Sequence, residues 1–296
     1  MLFETVDTIA RVFNNNLILN VLLVPLLLCC CLYFFFKKKS EFSYHAIQNS
    51  AATLLLGCLN YGTVLLCYEE ISGFVQAGYD LLRIPSLPAD FWDGWPFWLV
   101  CLIGLVTRDF ADYWNHRIMH TRWGWPSHAA HHSDTHVNAF TTYRVHFFEA
   151  VLMSSSYILL LSWLQMPEAI PAVVMFGALH NMYVHMDLPF THGPFKFLIA
   201  SPVFHRWHHA DTPEAYGKNL ANVIPAWDLI FGTYHCPAPC TVKMGAVDSG
   251  IEDKNPVRIF LYPLLQWSRM IRRRVKRLAE KSRAPHAGAP GQTTAK

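Results

Sequence analysis

Apolar and polar positions along the chain fall into long blocks rather than a short alternation. LILNVLLVPLLLCCCLYFFF (17–36) runs twenty residues without a charge, about the length that crosses a roughly 30 Å hydrocarbon layer as a helix. AATLLLGCLNYGTVLLCY (51–68) is a second block. GWPFWLVCLIGLVT (94–107) is a shorter third, whose tryptophans suit the aromatic belt of a membrane surface. AVLMSSSYILLLSWLQM (150–166) and AIPAVVMFGALHNMYV (169–184) are parted by little more than Pro167 and Glu168, so 147–184 reads as a helical hairpin. The pattern predicts an all-α integral membrane protein with about four transmembrane helices, two of them as that hairpin.

Charge sets the expected orientation. Lys37–Lys39 follow the first block, and RMIRRRVKRLAEKSR (269–283) closes the ordered part of the chain. An excess of Lys and Arg marks the cytoplasmic side. An even number of crossings then leaves residues 108 onward, and 186 onward, facing the cytoplasm. The first block ends in lysines rather than a small-residue cleavage site, so it reads as a retained helix and not a signal peptide. Four portions are expected: a two-span anchor with an amphipathic loop (1–91), a catalytic portion (92–240), an amphipathic and basic segment (241–283) and a disordered Pro/Gly/Ala-rich tail (284–296). The basic segment suits a membrane surface, and no nucleic-acid partner is expected. Six of the eight cysteines lie in apolar blocks, where they act as small hydrophobes, and CPAPC (236–240) matches no common redox or zinc spacing.

Polar chemistry is concentrated in one interval. Of sixteen histidines, thirteen lie between His116 and His209. His116 and His120 are four apart and share a helical face. His128, His131 and His132 form H-x-x-H-H, an arc of about 100° on a helix. His205, His208 and His209 repeat that spacing, and HNMYVH adds His180 and His185. Packing does not explain this recurrence, and neutral imidazole is the commonest metal ligand at physiological pH. Eight to ten converging imidazoles exceed the needs of one ion and suit two. His45, His235 and His286 are isolated and read as ordinary core or surface residues; His136, His146 and His192 read as supporting or surface groups.

No H-E-x-x-H zinc-protease motif and no Glu-x-x-His pair of carboxylate-bridged bundles is present. All-nitrogen ligation permits zinc, copper, iron or nickel. A lipid-facing site with no hydrolytic groove points to iron, which can activate O₂ against an unreactive C–H bond.

Four stretches in this order resemble the fatty acid hydroxylase/sterol desaturase superfamily of membrane di-iron oxygenases. RDFADYWNHRIMH (108–120) is similar to the first histidine box, and SHAAHHSDTHVNAFTTYRVHFFE (127–149) to the second with its following Asn, Thr, Arg and Glu. VHMDLPFTHGPFKFLIASPVFHRWHHA (184–210) resembles the third, and NLANVIPAWDLIFGTY (219–234) the closing motif. The resemblance implies that His116, His120, His128, His131, His132, His185, His205, His208 and His209 ligate two irons, with His180 as a further candidate. Asp112, Asn138, Arg144, Glu149, Asn222 and Asp228 match its recurring polar positions and are expected to orient the imidazoles. Arg144 reads equally as a membrane-surface anchor, and Asp228 as a loop or helix cap.

The expected activity is O₂-dependent hydroxylation or desaturation of a lipid C–H bond, on a sterol, fatty acyl chain, or ether or amino lipid entering from the bilayer. No G-x-G-x-x-G fingerprint is present, so electrons are expected from a separate b-type cytochrome or ferredoxin with its reductase. Trp114, Trp123, Trp125 and Trp207 read as an interfacial belt or as the lining of the substrate's approach. Two alternatives stand beside this reading: a metal transporter or metal-handling protein, and, within the enzyme class, a carotenoid hydroxylase.

Overall fold

Apolar blocks beyond residue 43 contribute to helices, and polar positions lie within those helices as well as between them. The computed structural model describes residues 43–283 apart from 67, 84, 167, 247–248 and 252–253. The elements are α1 (Tyr44–Leu66), α2 (Tyr68–Leu82), α3 (Phe97–Met119), α4 (Trp125–His132), a 3-10 turn (Ala139–Tyr143), α5 (Phe147–Leu164), α6 (Ile170–His185), α7 (Pro202–His208), α8 (Ala226–Ile230) and α9 (Pro256–Arg283). A shorter 3-10 turn covers Gly193–Phe195. Among the described residues there is no strand, only an isolated antiparallel bridge between Ala210 and Met244.

The expected membrane spans fare less simply. The first, 17–36, lies outside the described residues. The others coincide with α1, α3, α5 and α6, yet no helix among the described residues is long and apolar enough to cross a membrane. Polar residues punctuate these helices: Gln48, Asn49, Thr53 and Asn60 in α1, and Ser154–Ser156 in α5. α3 is apolar only as far as Thr107, after which Arg108, Asp109 and Asp112 enter. α6 has 16 residues, about 24 Å of helix against a roughly 30 Å hydrocarbon core.

Polar interruptions are also what tie the helices together. α3 packs on α5 and α6, α6 on α7 and the longer 3-10 turn, and α9 on α4 and α1. Gly177 leaves α6 without a side chain where Arg108 crosses it; the guanidinium donates to the Val173 carbonyl at 3.1 Å and lies over the Tyr157 ring. Asp109, 1% exposed, accepts from the backbone amides of Val223 and Ile224 at 2.7 and 2.8 Å and from the Trp227 indole at 3.1 Å. One buried carboxylate thereby pins residues 223–227 to a helix more than a hundred positions earlier, satisfying amides that burial would otherwise leave unpaired.

Candidate metal centre

Short helices with capped ends present most of the histidines. α4 starts with Pro126 in its first turn, where a missing N–H costs nothing. Its last turn is closed by Arg144, fully buried, whose Nε donates to the Ala130 carbonyl at 3.2 Å and to Ser133 Oγ at 2.9 Å. The same guanidinium reaches the Asn49 carbonyl and Thr53 Oγ1 on α1. Arg144 thus fixes the helix that carries His128, His131 and His132 and does not reach the surface as a membrane anchor. Ser201 caps α7 by accepting from the Phe204 amide at 3.2 Å, with Pro202 next. Asn138 caps the 3-10 turn reciprocally with Thr141, and its amide group donates to the His136 carbonyl. It is a structural neighbour of the centre rather than part of it.

The imidazoles fall into two groups. His116, His120, His128, His132 and His208 form one; His131, His185, His205 and His209 form the other, with ligand nitrogens in each group within 4.8 Å of one another. α3, α4 and α7 build the first, while α4, α6 and the α7 end build the second. Adjacent residues point to different groups: His131 and His132 part company on α4, as do His208 and His209 at the end of α7. Nearest nitrogens approach closely: His116 and His128 Nε2 to 3.0 Å, His128 and His132 Nε2 to 3.2 Å, His131 and His185 Nε2 to 3.2 Å, and His185 and His205 Nε2 to 3.0 Å.

Proton positions make these contacts informative. His116 Nδ1 donates to the Leu220 carbonyl at 2.7 Å, His208 Nδ1 to the Lys218 carbonyl at 2.9 Å, and His185 Nδ1 to the Asn181 carbonyl at 2.6 Å. His128 Nδ1 hydrogen bonds to Glu149 Oε1 at 2.9 Å. A carbonyl can only accept, so in His116, His208 and His185 the neutral ring leaves a lone pair on Nε2 facing its neighbours. Nitrogens this close to such a lone pair need a proton or a cation between them. Two nitrogens bound at about 2.1 Å to one ion and about 90–100° apart stand about 3.0–3.2 Å from each other. His120 Nε2, His208 Nε2 and both His209 nitrogens are buried without a hydrogen-bond partner, a cost that ligation would remove. Burial, reinforced by neighbouring imidazoles, holds His128, His131, His132, His205, His208 and His209 well below the usual histidine range. They stay neutral near pH 7, the form that binds metal. The donor set fits two nitrogen-ligated ions.

Supporting carboxylates act one step removed. Asp228 accepts from the Leu220 and Ala221 amides at 2.7 and 2.9 Å and from Thr233 Oγ1 at 2.6 Å; Tyr113 hydrogen bonds to the same hydroxyl. It holds the turn whose Leu220 carbonyl orients His116, so its cap role and its supporting role are one. Burial raises the Asp228 carboxyl while these donors pull it back down. Asp112 is buried beside Arg108 at 3.8 Å and, with Asn222 and Glu149, borders a cavity of about 50 Å³ that also touches His116, His128, His131 and His205. A larger cavity, about 380 Å³, is lined by His120, His132, His208, Trp125, Asp211 and Tyr216.

Several expected participants lie elsewhere. His180 belongs to neither group; its Nε2 donates to the Ala200 carbonyl at 3.1 Å and its ring stacks on Phe176. His146 is buried and donates to the Phe260 carbonyl, His192 pairs with Tyr183, and His136 lies against His45. Of the tryptophans, Trp125 borders the centre; Trp114 and Trp123 are exposed, and Trp207 donates to the Ala238 carbonyl. Tyr113 precedes the first histidine box beside Asp112, whereas nothing in the spacing of the motifs singles out Asp109, Asn219 or Ser201. Asn219, at φ +54°, bonds to the Phe204 and His235 carbonyls and so braces the end of α7; its position at the head of NLAN was the available signal.

Residues 101–233 match the family model described as fatty acid hydroxylase. The chain is 30% identical over 178 residues to an ornithine lipid hydroxylase of Rhizobium tropici, covering 57% of this chain and 51% of that one. It is 31% identical over 169 residues to an alkylglycerol monooxygenase of Danio rerio, covering 56% of this chain and 35% of the relative. A methylsterol monooxygenase 1-3 of Arabidopsis thaliana is 24% identical over 189 residues, covering 56% and 62%. The chain spans about half the length of the first of these relatives and about a third of the second. No solved structure matches the chain.

Proposed function

We propose, from the match of residues 101–233 to the fatty acid hydroxylase model, that this chain is a membrane-associated lipid hydroxylase whose two histidine groups hold two irons. The observation that carries the reading is the convergence of buried imidazole nitrogens in two groups, with His116, His208 and His185 oriented by Nδ1–H donation so that Nε2 is free to ligate. His116, His120, His128, His132 and His208 hold one ion, and His131, His185, His205 and His209 the other. Bound iron supplies O₂ activation and the oxidising power for an unactivated C–H bond. In balance, a C–H bond, O₂, two electrons and two protons give an alcohol and water.

The chain's own residues position and exclude. Glu149, the Leu220 and Lys218 carbonyls and the Asn181 carbonyl hold the rings in the ligating tautomer. Asp228, Asp109 and Arg144 hold the segments those partners belong to. The cavity of about 50 Å³ that both groups border receives the reacting carbon, with Met119, Val145 and Met153 keeping water away and Asp112, Asn181 and Asn222 as its polar rim. The substrate is a lipid of the chemical kind the relatives' names indicate, an amino-acid lipid, an alkylglycerol or a sterol. Electrons arrive from a separate b-type cytochrome or ferredoxin chain. Residues 92–240 form the catalytic portion, anchored by the apolar blocks at 17–36 and 51–68 and by the 147–184 hairpin, with the histidines on the cytoplasmic side.

Lipid mass spectrometry of cells carrying the wild-type chain, His131→Ala or no copy tests this directly. A lipid heavier by one oxygen should appear with the wild type alone. Identical lipid profiles for wild type and His131→Ala under oxygen-replete growth would overturn the assignment.

A further inference from the structure

α9 has two faces, and the fold uses only one of them. Over its first half, Ile259 and Pro263 are buried and the helix rests on α4 and α1. Beyond Met270 every residue to Glu280 is exposed, so the second half of this 28-residue helix projects from the body. Its sequence is nevertheless strongly patterned. Ile271, Val275 and Leu278, 52%, 60% and 59% exposed, recur at i, i+4 and i+7 and share one face. Leu261 and Leu264, also exposed, extend the same stripe backwards. Arg273, Lys276 and Arg277 occupy the opposite side, with Arg272 and Arg274 flanking the stripe.

We propose that α9 docks lengthwise on an anionic lipid surface, with the Leu264–Leu278 stripe in the headgroup boundary and the basic side chains against lipid phosphates. Three observations favour that occupant. α9 carries nine Lys and Arg against the single acid Glu280, which fits a negatively charged surface. Stripe against stripe, a second copy of the helix would bring these like charges together, which opposes a self-paired coil. Aromatic side chains gather where the projecting half begins: Trp267 lies edge-on to Phe148 at 5.0 Å and donates to the Trp123 carbonyl at 2.9 Å. Phe148 and Trp123 are themselves exposed, a grouping suited to the interfacial level of a bilayer. An amphipathic helix with a basic polar face and an uncovered apolar stripe lies in that plane. The proposal is independent of the metal chemistry, since its test reads no turnover.

Hydrogen–deuterium exchange of the full chain, in nanodiscs of phosphatidylcholine alone and in nanodiscs enriched in phosphatidylglycerol, provides that test. Exchange across 271–280 should slow roughly tenfold in the anionic discs, through headgroup attraction of the arginines, and return to the neutral-disc rate at high salt. Two variants keep the result interpretable: Arg272→Gln/Arg273→Gln/Arg277→Gln, which retains good helix formers, and Ile271→Ser/Val275→Ser/Leu278→Ser. Both should lose the slowing while their iron content stays that of the wild type. Equal exchange in the two lipids overturns the proposal. So does slowing that follows protein concentration rather than lipid charge, which would mark a second copy as the occupant.

Discussion

The two histidine groups share α4 and the end of α7 but are braced differently. The five-histidine group depends on distant chain. Its rings are oriented by the Leu220 and Lys218 carbonyls and by Glu149, and the turn at 218–221 is itself held by Asp228. The four-histidine group has one such brace, from His185 to the Asn181 carbonyl one helical turn back; Nδ1 of His131 and of His205 is buried without a partner. The first group also borders both cavities, whereas the second meets only the smaller one. The more open group is therefore the one with long-range bracing, and the more enclosed group is held chiefly by its helices. Damage to the closing turn should accordingly separate two sites that ligand loss would disable alike.

The largest expected effects come from neighbours that face different ways. His208→Ala and His209→Ala should each leave about one iron per chain and lower product formation more than about a hundredfold, because each removes one ligand of a different ion. Iron Mössbauer spectra should lose a different signal in the two variants; loss of the same signal would break the division into two groups. Asp228→Asn should weaken the five-histidine site by about ten- to a hundredfold, as loss of an outer support does, and leave the other site filled. Iron titration followed by mass analysis checks this, and equal loss from both sites would refute the asymmetry.

Acid should act on the metal-free chain through both groups. Histidines on α4 and α7 titrate in the fold well below 6.5, so between that lower value and about 6.5 the unfolded chain binds more protons than the folded one. Stability is thus present above about pH 6.5 and lost as pH falls, by up to about 1.4 kcal/mol per pH unit for each imidazole involved. Chemical denaturation of iron-free protein between pH 7 and 5 should show the fall, and iron-loaded protein should show it from a higher starting stability, since ligating rings also stay unprotonated while the metal is held. A flat profile without metal would mean that the rings are not buried as described. The smallest effect belongs to Ser201→Ala, which removes the cap of the helix shared by both groups and should cost about 1 kcal/mol, with both sites weakened to the same degree.

Spacing alone carried much of the centre. H-x-x-x-H and the two H-x-x-H-H runs were legible because ligands on one short helix must recur at helical intervals, and their eight imidazoles, with His185 from HNMYVH, are the ones the fold gathers. His180 was grouped with His185, but five positions turn a helix by about 140°, which sends His180 toward Ala200 instead. Asp109 was passed over because a carboxylate at the end of an apolar helix resembles a solvated terminus. Its partners lie 114 and 115 positions away, a distance that no local pattern encodes. Arg144 carried the same ambiguity, since a surface anchor and a buried cap read alike until α1 is seen to wrap it. Apolar length predicted where the described helices form, while the polar residues within them decided how far each apolar run extends.

The most direct test is the iron content of wild-type full-length protein, purified anaerobically and measured by plasma mass spectrometry against amino-acid analysis. Two irons per chain are expected, with both retained after exhaustive buffer exchange at pH 7. A value at or below one, or zinc in place of iron in both sites, would contradict the account.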